Sequence, residues 1–229
     1  MIRLVAVDID GTLTFKDRKL DVVAVEAIRK AESAGIPVVL ATGNVLSFAE
    51  AAAVMLGTSG PLIAEDGGVV FDLTTGQEHV LGDRVEVDRG LVVLEDVFGP
   101  LEQTRSSAAR LTGLTLKRTI SVEDASKVLQ DAGLPLVAVD SGFAIHIRSP
   151  DVNKGNALRK ISSITKIPLA EIAAIGDGPN DVEMLQTAGL SFAVANSVDE
   201  VKRASSHVTS SPHGKGVAEA IEKILSMRG

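Results

Sequence analysis

Short apolar runs alternate with helical stretches along most of the chain, and that alternation restricts the fold more than any other feature. Residues 3–7 (RLVAV), 36–41 (IPVVLA), 61–64 and 172–175 (IAAI) read as strands buried on both faces. Residues 21–34 carry Val22, Val25, Ile28 and Ala31/Ala34 at helical spacing, and Gly35 ends that helix. Residues 45–56, 154–165, 181–188 and 217–227 read as further helices, and 191–194 as another strand. Residues 68–80 form a hairpin pattern turning near Thr74-Thr75-Gly76. The expected fold class is α/β: a doubly wound, Rossmann-like parallel sheet with helices on both faces. Such sheets bind ligands at the carboxyl ends of their strands.

The middle of the chain departs from this pattern. A helix over 84–98, a strand over 114–120, a helix over 122–132 and strands at 136–139 and 143–147 suggest a small α+β unit. Asp140-Ser141-Gly142 supplies a hairpin turn between the last two. The expected division is a core of residues 1–81 and 153–229, with an inserted unit at 82–152.

The charged residues concentrate at strand ends. Asp8-Ile9-Asp10-Gly11-Thr12 directly follows the first strand. Residues two apart on an extended chain face one side, so Asp8 and Asp10 emerge together. Two close carboxylates repel unless a cation bridges them or one takes a proton. Either outcome serves chemistry: oxygen ligands suit a hard divalent cation, and a nucleophile beside an acid supports covalent catalysis. Gly176-Asp177-Gly178-Pro179-Asn180-Asp181 repeats the placement after IAAI, where Asp181 is equally able to cap a helix. Thr42-Gly43-Asn44 follows the second strand and suits either a helix cap or a phosphate oxygen. Lys154 opens a helix, where the dipole disfavours it, which points to an anionic neighbour.

In this order the motifs resemble the haloacid dehalogenase superfamily of Mg²⁺-dependent phosphatases, over nearly the whole chain. The 82–152 segment sits where the Cof-type branch inserts its cap, and DIDGTLT with TGN looks like the archaeal-type phosphoglycolate phosphatases of that branch. The resemblance implies that Asp8 attacks phosphorus and becomes an aspartyl-phosphate. Asp10 would protonate the leaving oxygen and then activate water. Mg²⁺ would be held by the Asp8 carboxylate, the Asp10 backbone carbonyl and Asp177, with Asp181 as ligand or support. Thr42, Gly43, Lys154 and Asn180 would hold the substrate phosphate. The expected reaction is hydrolysis of a small phosphomonoester, 2-phosphoglycolate first among them. A sugar-phosphate or phosphoglycerate-linked phosphatase, a receiver-like signalling module and a silent Mg²⁺ scaffold are the alternatives. Glu65-Asp66-Gly67-Gly68 departs from the usual Asn-Gly and reads as a structural turn outside the catalytic set.

Composition narrows the partners. The net charge is −7, and only 3% of residues are aromatic, so no nucleic-acid surface is expected. With no Cys, disulfides and thiolate sites are excluded, and His79, His146, His207 and His213 lack metal-ligand spacing. No run reaches ~18 apolar residues, so no membrane span is expected. The N-terminus has no signal-peptide pattern, and the expectation is a cytoplasmic protein able to form a homodimer. Arg118, His146 and Arg148 are candidates for a substrate carboxylate, and Gly214-Lys215-Gly216 reads as a loop leading into the last helix.

Overall fold

The fully apolar strands form the centre of an eight-stranded sheet in a computed structural model, which describes residues 1–142 and 144–227. The chain divides into two compact units, Met1–His79 together with the chain from Asn153, and Val80–Val152.

In the first unit, β1 (Leu4–Asp8) pairs in parallel with β2 (Val38–Ala41) on one side and with β9 (Ile172–Gly176) on the other. β3 (Leu62–Ala64) and β10 (Leu190–Ala193) extend the sheet in parallel. β4 (Val69–Asp72), β5 (Gln77–Val80) and β11 (His207–Val208) complete the order β11-β10-β9-β1-β2-β3-β4-β5. β4 runs antiparallel to β3. Every residue of β1, β2, β3 and β9 is buried, as a strand covered on both faces requires.

Alternation sorts the side chains. Val5, Val7, Val38, Leu40, Ala173 and Ile175 share one core with Ala24, Ile28 and Ala31 of α1 (Val22–Ser33) and Val217, Ile221 and Ile224 of α8 (His213–Ser226). The pleat sends the intervening Ala6, Val39 and Ala174 to the opposite face. Helix α2 (Leu46–Leu56) ends on Gly57 in the left-handed region. α5 (Lys154–Thr165) packs against α6 (Val182–Thr187), and α7 (Asp199–Ala204) follows β10. The strand ends consequently place Asp8, Thr42, Glu65 and Asp177 along one rim.

In the second unit, α3 (Arg84–Phe98) and α4 (Val122–Asp131) start on side-chain caps from Asp83 and Ser121. They share a core of Val87, Leu94, Ala125 and Leu129 with an antiparallel sheet. Its order is β6 (Gly113–Leu116), β8 (Ile145–Arg148), β7 (Val137–Asp140). Arg84 Nη1 donates to the carbonyls of Ser107, Arg110 and Gly113, which fixes the loop before β6 to the start of α3.

Two expectations shift and one is not tested. The strand expected over 114–120 stops at Leu116, because the Thr119 N–H turns back onto the Lys117 carbonyl and Ser121 already caps α4. The last helix starts at His213, not 217: Pro212 occupies its cap and Asn196 Oδ1 takes the His213 N–H. Gly214-Lys215-Gly216 is thus the helix's first turn. Phe143, where a strand was expected to begin, lies outside the described residues.

Glu32 ties this unit together: its Oε1 accepts from the Val38 and Ser59 N–H groups at 2.8 Å each, and its Oε2 from Ser59 Oγ at 2.6 Å. Glu32→Ala strands the buried Val38 N–H and is expected to cost about 1–3 kcal/mol in urea unfolding. Glu32→Gln, which keeps one acceptor oxygen, should cost less.

Candidate active site

Asp8 is the last residue of β1 and 4% exposed; Lys154 is the first of α5 and fully buried. Lys154 Nζ donates to Asp8 Oδ1 and to Asp181 Oδ1, each at 2.6 Å. The anionic neighbours expected for this misplaced lysine are therefore two carboxylates of the chain itself. Asp181 is also fully buried, and its Oδ2 accepts from the Asp177 and Gly178 N–H groups at 3.0 Å each. It shapes the loop after β9 while it holds the ammonium. Asp8 Oδ2 is buried with no hydrogen-bond partner among the described residues.

Asp177 follows β9. Thr12 Oγ1 donates to its Oδ1 at 2.7 Å, and Asn196 Nδ2 reaches its Oδ2 at 3.4 Å. Gly11, at φ 94, turns the chain under it; a Cβ there would stand 2.4 Å from Asp177 Oδ2, so only glycine fits. The Gly11 carbonyl accepts from Asn196 Nδ2 at 3.0 Å and lies 2.7 Å from His213 Nδ1.

Asp10 points elsewhere. Its Oδ1 accepts from Arg18 Nε at 3.0 Å and its Oδ2 from Asn44 Nδ2 at 2.8 Å. Thr42, fully buried after β2, accepts at Oγ1 from the Asn44 N–H and Nδ2. Gly43 borders Asp66, whose Oδ1 would be 2.8 Å from a Cβ placed on that glycine. Asp66 Oδ1 also accepts from Asn180 Nδ2 at 3.0 Å. The reading of Glu65-Asp66 as a turn outside the site is thereby corrected. Both residues adopt left-handed backbone, at φ 54 and 59, and that fold-back carries the Asp66 carboxylate to Gly43 and Asn180.

The structure gathers Asp8, Asp177, Asp181 and Lys154 into one cluster. Asp10 joins Thr42 through Asn44, and Gly43 joins Asn180 through Asp66. Thr12, Arg18, Asn44, Asp66, Asn196 and His213 complete the surroundings. Thr12 and Asn44 lie within motifs already singled out, whereas Asn196 and His213 meet Gly11 across 185 and 202 residues and carry no local signal. His79 lies on β5, and His207 stands 3.3 Å from Lys223 Nζ. In the second unit, Arg118 pairs with Asp140 at 2.7 Å and donates to the Gly142 carbonyl. His146 and Arg148 lie on one face of β8, and Arg148 Nη1 donates to the carbonyls of Ser149 and Val152.

Burial and charge set the protonation of the cluster. Burial, then the Asp181 charge, pushes the Asp8 carboxyl up, with Lys154 opposing. Burial and Asp181 push Asp177 up to about 6, against Thr12 and Lys154. Burial disfavours the Lys154 charge, but Asp181 and Asp8 outweigh it and raise its proton affinity. Asp8, Asp177 and Asp181 each bring a carboxylate oxygen within 4.8 Å of the others. An all-oxygen set, an excess of negative charge and the unpartnered Asp8 Oδ2 fit a hard divalent cation. The Asp10 carboxylate is outside this group, held by Arg18 and Asn44.

The family model for haloacid dehalogenase-like hydrolases matches residues 5–85 and 113–221. The chain belongs to that family. It is 39% identical over 224 residues to a phosphoglycolate phosphatase of Methanothermobacter thermautotrophicus, covering 98% of this chain and 99% of that protein. It is 42% identical over 226 residues to a phosphoglycolate phosphatase of Archaeoglobus fulgidus, covering 99% and 98%. Among solved structures, a Thermoplasma acidophilum protein superposes at TM-score 0.89 with 29% identity, covering 98% of this chain and 99% of that one. A haloacid dehalogenase-like hydrolase of Bacteroides thetaiotaomicron, at TM-score 0.77 and 20% identity over 98% of this chain and 100% of its own, shares the fold.

Lys154→Met leaves two buried carboxylates uncompensated and is expected to cost about 3–5 kcal/mol in urea unfolding. A second expectation concerns pH. Asp177 has its proton affinity raised from 3.8 to about 6. In metal-free protein its contribution to stability is therefore complete below the unfolded value and is lost as pH rises through about 6. A cation needs the deprotonated carboxylate, so the gain in Tm on adding Mg²⁺ should be larger at about pH 7.5 than at about pH 5. An equal gain at both would exclude Asp177 as a ligand with this shift.

Proposed function

We propose that this chain is a Mg²⁺-dependent phosphatase that hydrolyses 2-phosphoglycolate to glycolate and phosphate through an aspartyl-phosphate on Asp8. The observation that carries the reading is Asp8 itself: a buried strand-end carboxylate with Oδ1 on Lys154 and Oδ2 without a partner among the described residues. A carboxylate offers about four lone-pair positions, so one bond to Lys154 leaves room for a cation and for phosphorus. The full-length likeness to proteins named phosphoglycolate phosphatase supports the substrate.

Asp8, Asp177, Asp181 and the Asp10 backbone carbonyl would hold Mg²⁺, which would supply Lewis-acid neutralisation of the phosphoryl charge. Lys154 opposes the burial that raises the Asp8 proton affinity, holds the carboxylate in place, and adds positive charge beside the phosphoryl oxygens. Thr42, the Gly43 N–H and Asn180 orient those oxygens. An Asp8 oxygen forms a bond to phosphorus as the bond from phosphorus to the glycolate oxygen breaks, and Asp10 gives that oxygen its proton. Asp10 then takes a proton from water, whose oxygen attacks phosphorus and releases phosphate from Asp8.

The same reading assigns catalysis to residues 1–81 and 153–229 and a lid role to 82–152. The same reading includes a cytoplasmic location; among the described residues no helix is long and apolar enough to cross a membrane.

The test is phosphate release from a panel that includes 2-phosphoglycolate and hexose phosphates, with Mg²⁺ and with chelator. Highest kcat/KM for 2-phosphoglycolate and loss of activity on chelation are expected. Asp8→Asn should lower kcat by about a thousandfold or more. Turnover by that variant near the wild-type rate would overturn the covalent route.

A further inference from the structure

Asp10 has a partner that proton transfer does not require. Its two carboxylate oxygens are held by groups of unequal exposure, Asn44 half-buried and Arg18 exposed. Asn44, on Oδ2, is fixed: its backbone N–H and Nδ2 both donate to Thr42 Oγ1, and its carbonyl accepts from the Glu65 N–H. Arg18, on Oδ1, sits on a short excursion closed by a bridge between Thr14 and Leu20, with its side chain 45% exposed. The Arg18 N–H donates to the Phe15 carbonyl at 2.9 Å and the Phe15 N–H to the Lys19 carbonyl at 2.8 Å. That tight turn holds Arg18 at φ 67, a left-handed conformation uncommon for arginine. The adjacent Lys19 is committed to Asp17 at 2.8 Å. A strained, solvent-facing turn therefore delivers one guanidinium to the acid that serves the leaving oxygen.

We propose that Arg18 determines substrate specificity by binding the carboxylate of the leaving group. The inference rests on the reading of Asp10 and of 2-phosphoglycolate given above. In that substrate a single methylene separates the ester oxygen from the carboxylate. A guanidinium that reaches Asp10 Oδ1 therefore reaches the carboxylate of a molecule whose ester oxygen meets Asp10. The planar fork of arginine matches two carboxylate oxygens at once. Trading Asp10 for the substrate carboxylate conserves an ion pair and uncovers Oδ1 for the leaving oxygen. Asn44 retains Oδ2 throughout, so Asp10 keeps its orientation. A phosphomonoester with an uncharged tail offers Arg18 no such exchange.

The experiment compares 2-phosphoglycolate with ethyl phosphate, which replaces the carboxylate by a methyl group. The readout is the ratio of kcat/KM for the two substrates, measured on the full chain with Mg²⁺. Because the ratio is internal to each preparation, partial unfolding of a variant does not alter it. Arg18→Gln is expected to lower the ratio about ten- to a hundredfold, largely through KM for 2-phosphoglycolate. Arg18→Lys, which keeps the charge without the fork, should restore part of the loss. A parallel fall for both substrates would mean that Arg18 acts only through Asp10, and would overturn the proposal. So would an unchanged ratio in Arg18→Gln with wild-type protein active on 2-phosphoglycolate, which leaves the proposed function standing. Wild-type protein that hydrolyses ethyl phosphate but not 2-phosphoglycolate would overturn both.

Discussion

The ammonium of Lys154 lies between Asp8 and Asp181; Lys154 and Asp181 are fully buried and Asp8 nearly so. Desolvation of a lone charge costs several kcal/mol, and the ammonium offsets part of that cost. Lys154 therefore supports the burial of Asp8, and that burial leaves one carboxylate oxygen without a hydrogen-bond partner among the described residues. The pair also fixes backbone: the Asp181 oxygen that is not on Lys154 holds the N–H groups of Asp177 and Gly178. One ammonium thus couples the start of α5, the end of β1 and the loop after β9.

The frame was legible because it is written in local patterns. Arg84–Phe98 and Lys154–Thr165 match the helices read from periodicity, and β1, β2, β3 and β9 lie within one or two residues of the apolar runs. DxDGT and GDxxND were legible because each needs only a strand end and a turn. What was missed depends on distant partners. Asp66 joins the site through two consecutive left-handed residues, a conformation to which Glu gives no clue. His213 looked like an ordinary surface histidine, yet its ring nitrogen stands on the Gly11 carbonyl. The short α7 and the two-residue β11 lack enough residues for any period to show.

Membership of the haloacid dehalogenase-like hydrolases and the strand-end cluster are independent observations that agree. The family match spans both parts of the core, and the geometry adds what a match cannot: which oxygen of each carboxylate is engaged. Asp181 is largely committed to support, Asp177 is steadied by Thr12, and Asp8 is half open. Asp10, two residues from Asp8, is turned onto Arg18 and Asn44 instead. The paired acids of DxDGT thereby avoid the repulsion that their spacing would otherwise impose.

The order of the sheet has a consequence for how the chain is made. β1 lies between β2, which follows it closely in sequence, and β9, which begins at Ile172. A ribosome releases the N-terminal half first, so LVAVD waits with one unpaired edge while the Val80–Val152 unit, which has its own apolar core, is completed. Lys154, and later Asp177 and Asp181, reach Asp8 only after that pause. The acidic cluster is therefore among the last parts of the core to close, and the waiting β1 edge is the segment most exposed to wrong pairing during synthesis.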